Sequence, residues 1–462
     1  MPKSQRSSRH PFDTGVRFPQ WSLNVEGFGK IRRAQIHMAP LVMLVGKNNT
    51  GKSHIASLIW ALMNGQELLF NRSERRGKAT PEWFRRILYS ADATGEDSVY
   101  NLTSDDRSMI ERDINNTIKD RKDALLRHVL SYDDVSARKI EIGLDSDCFP
   151  KSIQSVYMAE ARHGLFAWGE EESDPDLKVG LKSDPESNSI LESVFYNFFL
   201  SGVLSGGLQP SSDRGAIYVP AARTGLMLAF RSLVSGLIDK LGISGGATAS
   251  AEFPLPTIRF LQALNDAPRT SEPKFSKIAQ AVEKEVLNGT IKSGSGVNRQ
   301  FSYVTSSDGK ALPLHVSSSM VTELAPFMIL LRSGQLRSGV IFEEPEAHLH
   351  LSAQRSVARA IARLVNAGVP VVLTTHSDTF LQQMNISMQL HDHPRKTALC
   401  KAFGYAKDEV LDPAMARAYE FASEEDGTVV KELGKSSGGF VVPSLNQPLE
   451  SLSSEVVAMD SR

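Results

Sequence analysis

Cysteine is almost missing from this sequence. Cys148 and Cys400 are the only two in 462 residues, and neither lies in a CxxC or other zinc-type spacing. Neither a disulfide framework nor a cysteine metal knot can therefore organise the chain. Net charge is missing too: Lys+Arg 52 against Asp+Glu 53 leaves −1. No overall field draws the molecule to nucleic acid or to an acidic membrane. No apolar run is long enough for a transmembrane helix. The opening MPKSQRSSRHPFDTG is basic and polar and lacks the apolar stretch of a signal peptide. No internal repeat is visible. What is present is ordinary for a globular chain, with 41% hydrophobic and 23% charged residues, enough for a large core. These observations together lead to the expectation of a cytoplasmic protein with no membrane segment.

The chemistry concentrates in a few places. "VIFEEPEAHLH", Val340 to His350, is a strand-like apolar run that ends in three carboxylates and two imidazoles. One reading makes Glu346, His348 and His350 a metal site in their own right. The other makes the stretch half of a nucleotide site. Its complement is "LVMLVGKNNTGKSHIASLIWAL". There the apolar run Leu41–Val45 leads into Gly46-Lys47-Asn48-Asn49-Thr50-Gly51-Lys52-Ser53, and Ile55, Leu58, Ile59 and Leu62 follow at helical spacing. Strand, glycine loop and helix in this order form a phosphate loop. Backbone N–H groups of Gly46, Asn48, Asn49, Thr50 and Gly51 and the helix start face the phosphates. Lys52 supplies a cation and the Ser53 hydroxyl a ligand for Mg²⁺. Such a site needs a carboxylate at a neighbouring strand end to support the metal, the place of Glu343, and Glu344 beside it is positioned to polarise water.

A third run, "VPVVL" from Val369 to Leu373, reads as a strand buried on both faces and ends in Thr374-Thr375-His376-Ser377-Asp378. A helix with Val357, Ile361, Leu364 and Val365 on one face and Gly368 as its stop lies between the two strands. Polar residues thus gather at the C-terminal ends of the strands, where ligands bind in open α/β sheets. His376 is read as a γ-phosphate contact.

GKNNTGKS, IFEEPEAHLH and TTHSD together resemble the ABC-type ATPases of the RecF/SMC/OLD branch, as does "LNVEGFGKIRRAQIHMAPLVMLV" leading into the glycine loop. "VSSSMVTELAPFMILLR", Val316 to Arg332, resembles the signature segment of that branch, with serines where glycines are usual. The resemblance implies an α/β fold: a P-loop NTPase head of ABC type with a mixed or parallel sheet, a largely helical inserted lobe and a small C-terminal α+β segment. It implies that ATP and Mg²⁺ bind between two heads placed head to tail. Lys52 and Ser53 then hold ATP·Mg²⁺, Glu343 supports the metal, Glu344 activates water and His376 senses the γ-phosphate. Ser318 and Ser319 cap that phosphate from the partner copy. One set of motifs per chain implies a homodimer or higher homo-oligomer. Arg223, in "AIYVPAARTGL", is read either as approaching the nucleotide or the inserted lobe, or as a solvated turn residue.

The expected organisation is an ATPase core over 1–63 and 210–405, an inserted lobe over 64–209 and a closing hairpin and helix over 406–462. The lobe carries a basic stretch, "NRSERRGKATPEWFRR", open to reading as a nucleic-acid contact, a solvated face or a protein interface. It also carries a helix with Ile114, Ile118, Leu125 and Val129 in a stripe, and "EEESDPDLKVGLKSDPESNS", read as an acidic loop or hairpin. "TSEPKFSKIAQAVEKEVLNG" is read as a further surface helix, and "ARAYEFASEEDGTVVKEL" as a hairpin turning at Asp426-Gly427. The segment after the core is too short for the TOPRIM nuclease of OLD-type enzymes, so an effector is expected on a separate polypeptide. The functional expectation is an ATP-hydrolysing switch that resembles the ATPase subunits of anti-phage systems such as PARIS, Septu and retron modules. The alternative is a RecF-like ATPase acting directly on DNA.

Overall fold

The computed structural model describes residues 18–70, 80–89, 98–145, 149, 152–157, 166–168, 177–181, 189–205, 215–243, 253–268, 271–294, 300–436 and 438–460. A mixed nine-stranded sheet organises them. Trp21–Phe28 (β1), Ile31–His37 (β2) and Leu41–Val45 (β3) open the chain. In spatial order the sheet runs Ala137–Leu144, β1, β2, Gly427–Glu432, Ala416–Glu424, β3, Val371–Thr375, Val340–Glu343 and Ile217–Val219. The strands from Ala416–Glu424 to Ile217–Val219 run parallel to one another. Antiparallel pairing joins β1 to β2, β1 to Ala137–Leu144, and the two arms of the 416–432 hairpin.

β3, residues 340–342 and 371–373, and Ile217–Val219 read as apolar runs because both faces of the sheet are covered there. Their side chains alternate with period two. Leu41, Met43 and Val45 face one core, with Val340, Phe342, Val371 and Leu373. Val42 and Leu44 face the other, with Ile341 and Val372. The first core is filled by Leu255–Asn265, Pro273–Val282, Ser319–Arg332 and Leu351–Asn366. The second is filled by Lys52–Met63 (α1) together with Ser104–Leu130 and Ser189–Ser205. The Pro273–Val282 helix, expected at the surface, instead buries Phe275, Ile278, Ala279 and Val282. Its apolar residues recur at helical spacing, and the sheet face offers them a partner.

Two segments lie closer to the core than their sequence position suggests. Ala137–Leu144, from inside the 64–209 insertion, is an edge strand of the main sheet. The Ser104–Leu130 helix, whose stripe adds Ile110 and Leu126 to the expected residues, lies against that edge. Asn115 donates to Ile142 O and accepts from Ile142 N, both at 2.8 Å. Glu111 accepts from Leu144 N, and Lys122 donates to Ala137 O. These side chains satisfy backbone groups that would otherwise template another strand. The insertion also holds a four-stranded sheet of Ser98–Asn101, Ser152–Tyr157, Leu177–Leu181 and Phe166–Trp168. Leu177–Leu181 is the described part of the acidic stretch. The rest of that stretch up to Asn188, and residues 71–79 of the basic one, lie outside the described residues.

The 416–432 hairpin turns where Asp426-Gly427 predicts, with Glu424 opposite Gly427. It does not merely close the core, because it occupies the middle of the sheet between β2 and β3. The Pro443–Asp460 helix that follows leaves Leu452, Val456, Val457 and Met459 exposed. Among the described residues no helix is long and apolar enough to cross a membrane.

Asn115→Ala removes both side-chain bonds to Ile142. It is expected to lower unfolding free energy by about 1–3 kcal/mol, because buried edge groups lose their partners. Urea unfolding measures this, and an unchanged midpoint would mean that the edge does not need the helix.

Candidate functional site

Register brings the motifs together. Val45 pairs with Thr375 across one strand boundary, and Thr374 pairs with Glu343 across the next. The glycine loop, the Thr374–Asp378 segment and the Glu343–His350 segment therefore leave the same edge of the sheet side by side.

The loop is shaped by sterics. Gly46 has φ +148, and a Cβ there would lie 2.9 Å from Phe421 O, a backbone atom that cannot yield. Gly51 has φ +94, and a Cβ would meet Ile31 at 2.8 Å. Asn49 holds φ 62, a left-handed setting that Asn tolerates better than most residues. Thr50 is buried and its hydroxyl donates to Lys47 O at 2.9 Å. Asn48 and Asn49 are exposed. α1 begins at Lys52 with no side-chain cap and no acidic residue in its first turn, so its N–H groups and the positive end of its dipole stay open. Lys52 is buried, and its ammonium donates to Gly46 O at 2.8 Å and Lys47 O at 2.6 Å. Burial lowers its pKa, while Glu344, Glu346 and Glu343 hold it up. A buried cation whose hydrogen bonds, among the described residues, go to loop carbonyls, beside an uncapped helix start, fits a phosphate chain.

Glu343 ends its strand, buried. Its carboxylate accepts from Ala221 N at 3.3 Å and bonds the Tyr218 hydroxyl. Burial raises the Tyr218 phenol well above its usual range, and Glu343 adds to that rise. Ser53 is exposed on the first turn of α1. A hydroxyl and a carboxylate are the hard oxygen ligands that suit Mg²⁺. Glu344 is half-buried with φ 42, and its N–H donates to Thr374 O at 3.0 Å. His376 Nδ1 lies 3.7 Å from Glu344 Oε1 and 3.5 Å from Glu346 Oε1. Glu346 is buried and accepts from Thr375 Oγ1 at 2.6 Å and His376 N at 2.9 Å.

The self-contained metal cluster is not what the structure builds. Glu346 turns inward to fix the Thr375–His376 turn. His350 caps the Leu351–Asn366 helix through Ser352 N, and His348 is exposed at φ 56. Among the described residues no group of three or more His, Cys, Asp or Glu is placed to hold a metal. The basic stretch of the insertion is also partly spoken for: Arg85 pairs with Glu192 at 3.2 Å and Arg86 with Asp106 at 3.0 Å.

Ser318 and Ser319 are not joined to the glycine loop. Both are exposed. Ser318 caps the Ser319–Arg332 helix through Val321 N, and Ser319 is its first residue. Arg223 is not the solvated turn residue of one expectation. It is 0% exposed. It donates to Pro220 O at 3.1 Å, Glu343 O at 2.6 Å and Glu344 O at 2.8 Å. Its guanidinium lies 5.0 Å over the Phe342 ring and 2.6 Å from Glu323 of the signature-like helix, also 0% exposed. Burial lowers its pKa, and Glu323, then Glu346 and Glu343, hold it up. Nothing in the sequence pairs Glu323 with Arg223; its one local sign is a carboxylate inside the run "VTELAPF".

An α/β sheet with a phosphate loop and two neighbouring acidic and histidine-bearing strand ends defines a P-loop NTPase. The sequence matches the family described as "AAA ATPase domain" over residues 21–158 and 257–381. That is more than half of the chain, and the chain belongs to this family of ATPases. No curated protein matches it. Among solved structures it is similar to an Smc head bound to the C-winged helix domain of ScpA, at 10% identity over 89% of this chain and 97% of that one, TM-score 0.38. An Smc head with an extended coiled coil bound to the C-terminal domain of ScpA, derived from Pyrococcus furiosus, is 10% identical over 94% and 98%, TM-score 0.35. The SMC head domain from Thermotoga maritima is 8% identical over 89% and 98%, TM-score 0.31. At such scores the likeness is faint and assigns nothing to this chain.

Arg223→Met leaves the Glu323 carboxylate buried without its cation. It is expected to cost about 3–5 kcal/mol of stability, measured by urea unfolding. A loss below about 1 kcal/mol would show the pair to be solvated in solution.

Proposed function

We propose that this chain binds and hydrolyses ATP, that ATP joins two copies head to tail, and that the resulting switch controls a separate effector, a nuclease or toxin, in anti-phage defence. The observation that carries the hydrolytic part is the meeting of Glu344 and His376 on strand ends next to the Lys52 loop. Lys52 and the backbone of Gly46 to Gly51 bind the phosphates. Ser53 and Glu343 would hold Mg²⁺, which when bound neutralises charge developing on the β- and γ-phosphoryl oxygens. Glu344 orients the attacking water and accepts its proton, while His376 donates towards the γ-phosphate. Glu346 keeps His376 in place through the backbone. Exposure of Ser318 and Ser319 at an uncrowded helix start supports their use by a second copy, whose γ-phosphate they would cap. The defence role rests on the resemblance of the motifs to such ATPase subunits.

The alternative is direct action on DNA in the manner of RecF. The ion pairs of Arg85 and Arg86 reduce the free positive charge available for it. DNA-stimulated turnover with a steep salt dependence would favour that alternative over effector control.

Lys52→Ala is expected to abolish ATP binding in a fluorescent-nucleotide titration, and unchanged affinity would remove the phosphate-loop assignment. Glu344→Gln is expected to slow hydrolysis by about 10²-fold or more while retaining ATP. Light scattering should then find it as a dimer with ATP and a monomer without. Full turnover sinks the role of Glu344, and a monomer under saturating ATP sinks the head-to-tail reading.

A further inference from the structure

The binding and hydrolysis chemistry above does not use Arg223, yet this side chain touches both halves of the machinery. Its Nη1 donates to the Glu343 carbonyl and its Nη2 to the Glu344 carbonyl. Glu344 sits at φ 42, a left-handed setting that a β-carbon disfavours and that needs support from its surroundings. Arg223 supplies that support on the carbonyl side, and Thr374 on the N–H side. The same guanidinium forms an ion pair at 2.6 Å with Glu323, and the other Glu323 oxygen accepts from Thr224 N and Thr224 Oγ1. Glu323 stands just over one turn into the helix that starts at Ser319.

That helix is built unevenly. Pro326 lies inside it, and with no N–H to donate to the Thr322 carbonyl it loosens the first turn from the rest. The far end is fastened: Arg332 pairs with Glu283 and donates to Ile291 O. Ser318, Ser319 and Glu323 therefore lie on the same side of that break.

We propose that Arg223 is a positioning residue that transmits the setting of this first helical turn to Glu344. A phosphate group held at Ser318–Ser319 shifts Glu323. Arg223 follows its counter-ion, and the carbonyls of Glu343 and Glu344 follow Arg223. Glu344 then reaches its working geometry only when the signature-like helix of its own chain is engaged. Such a link would keep hydrolysis off in a lone subunit. This inference rests on the hydrolytic reading of Glu344.

The test replaces the pair without leaving a buried charge, since apolar substitution of both partners commonly preserves folding. In Arg223→Met/Glu323→Met, kcat for ATP is expected to fall about ten-fold or more, with nucleotide affinity within about two-fold of wild type. Arg223→Lys keeps the charge, but one ammonium cannot span two carbonyls and Glu323, so it should show the same split. The decisive arm is the cycle with Glu344→Gln. There the paired methionines should change residual turnover by less than about two-fold, because nothing is left to position. Turnover in the methionine pair within about two-fold of wild type overturns the proposal, as does a loss in the Glu344→Gln background equal to that in wild type. If the methionine pair does not fold, Arg223→Lys decides by the same two criteria. Wild-type protein that does not turn over ATP removes the hydrolytic reading and this inference together. Normal wild-type turnover with unaffected variants removes this inference alone.

Discussion

The register of three parallel strands is the constraint on which the site depends. Val45 opposite Thr375 and Thr374 opposite Glu343 bring three segments out of the sheet at one level. Slipping one strand by a residue would turn Glu343 or Thr375 to the wrong face and move Val42 or Ile341 into the other core. The two cores therefore fix the chemistry. Alternating burial of Leu41 to Val45 on both faces leaves one register that satisfies both, and the ligand-facing loops inherit it.

Polar groups behind the site then hold the loops that the register delivers. Glu346 anchors the Thr375–His376 turn, Tyr218 and Ala221 N hold the Glu343 carboxylate, and Arg223 gathers the carbonyls beyond it. Each of these groups is buried or nearly so, where an unmade bond is expensive and a made one is rigid. Preorganisation of this kind lets the exposed Ser53 and His376 and the half-buried Glu344 be placed with little packing around them.

The site was legible in the sequence wherever its chemistry is local. GKNNTGKS declares its loop because glycine, lysine and serine are each required at a fixed offset. Glu343 and His376 were legible because apolar runs end abruptly in polar residues. Arg223 and Glu323 were not, because an ion pair between residues a hundred positions apart leaves no local pattern. The role of Glu346 was hidden for the opposite reason: "EAHLH" has a local pattern that admits a metal-site alternative, while the fold turns the carboxylate inward. The same division holds for the architecture. The alternation in "ARKIEIGL" and the Asp426-Gly427 turn mark strands, but nothing near either says which neighbour it pairs with. Both proved to belong to the main sheet.

The hairpin at the centre of that sheet has a consequence for how the molecule is made. β3 carries the phosphate loop, but its two neighbours lie far downstream of it, beginning at Val371 and Ala416. Until those segments are synthesised, an apolar strand waits with both of its hydrogen-bonding edges open. Such distant pairing makes closure slow, and the exposed edges invite association with other chains during the wait. The phosphate loop would then take its final shape late in folding rather than first.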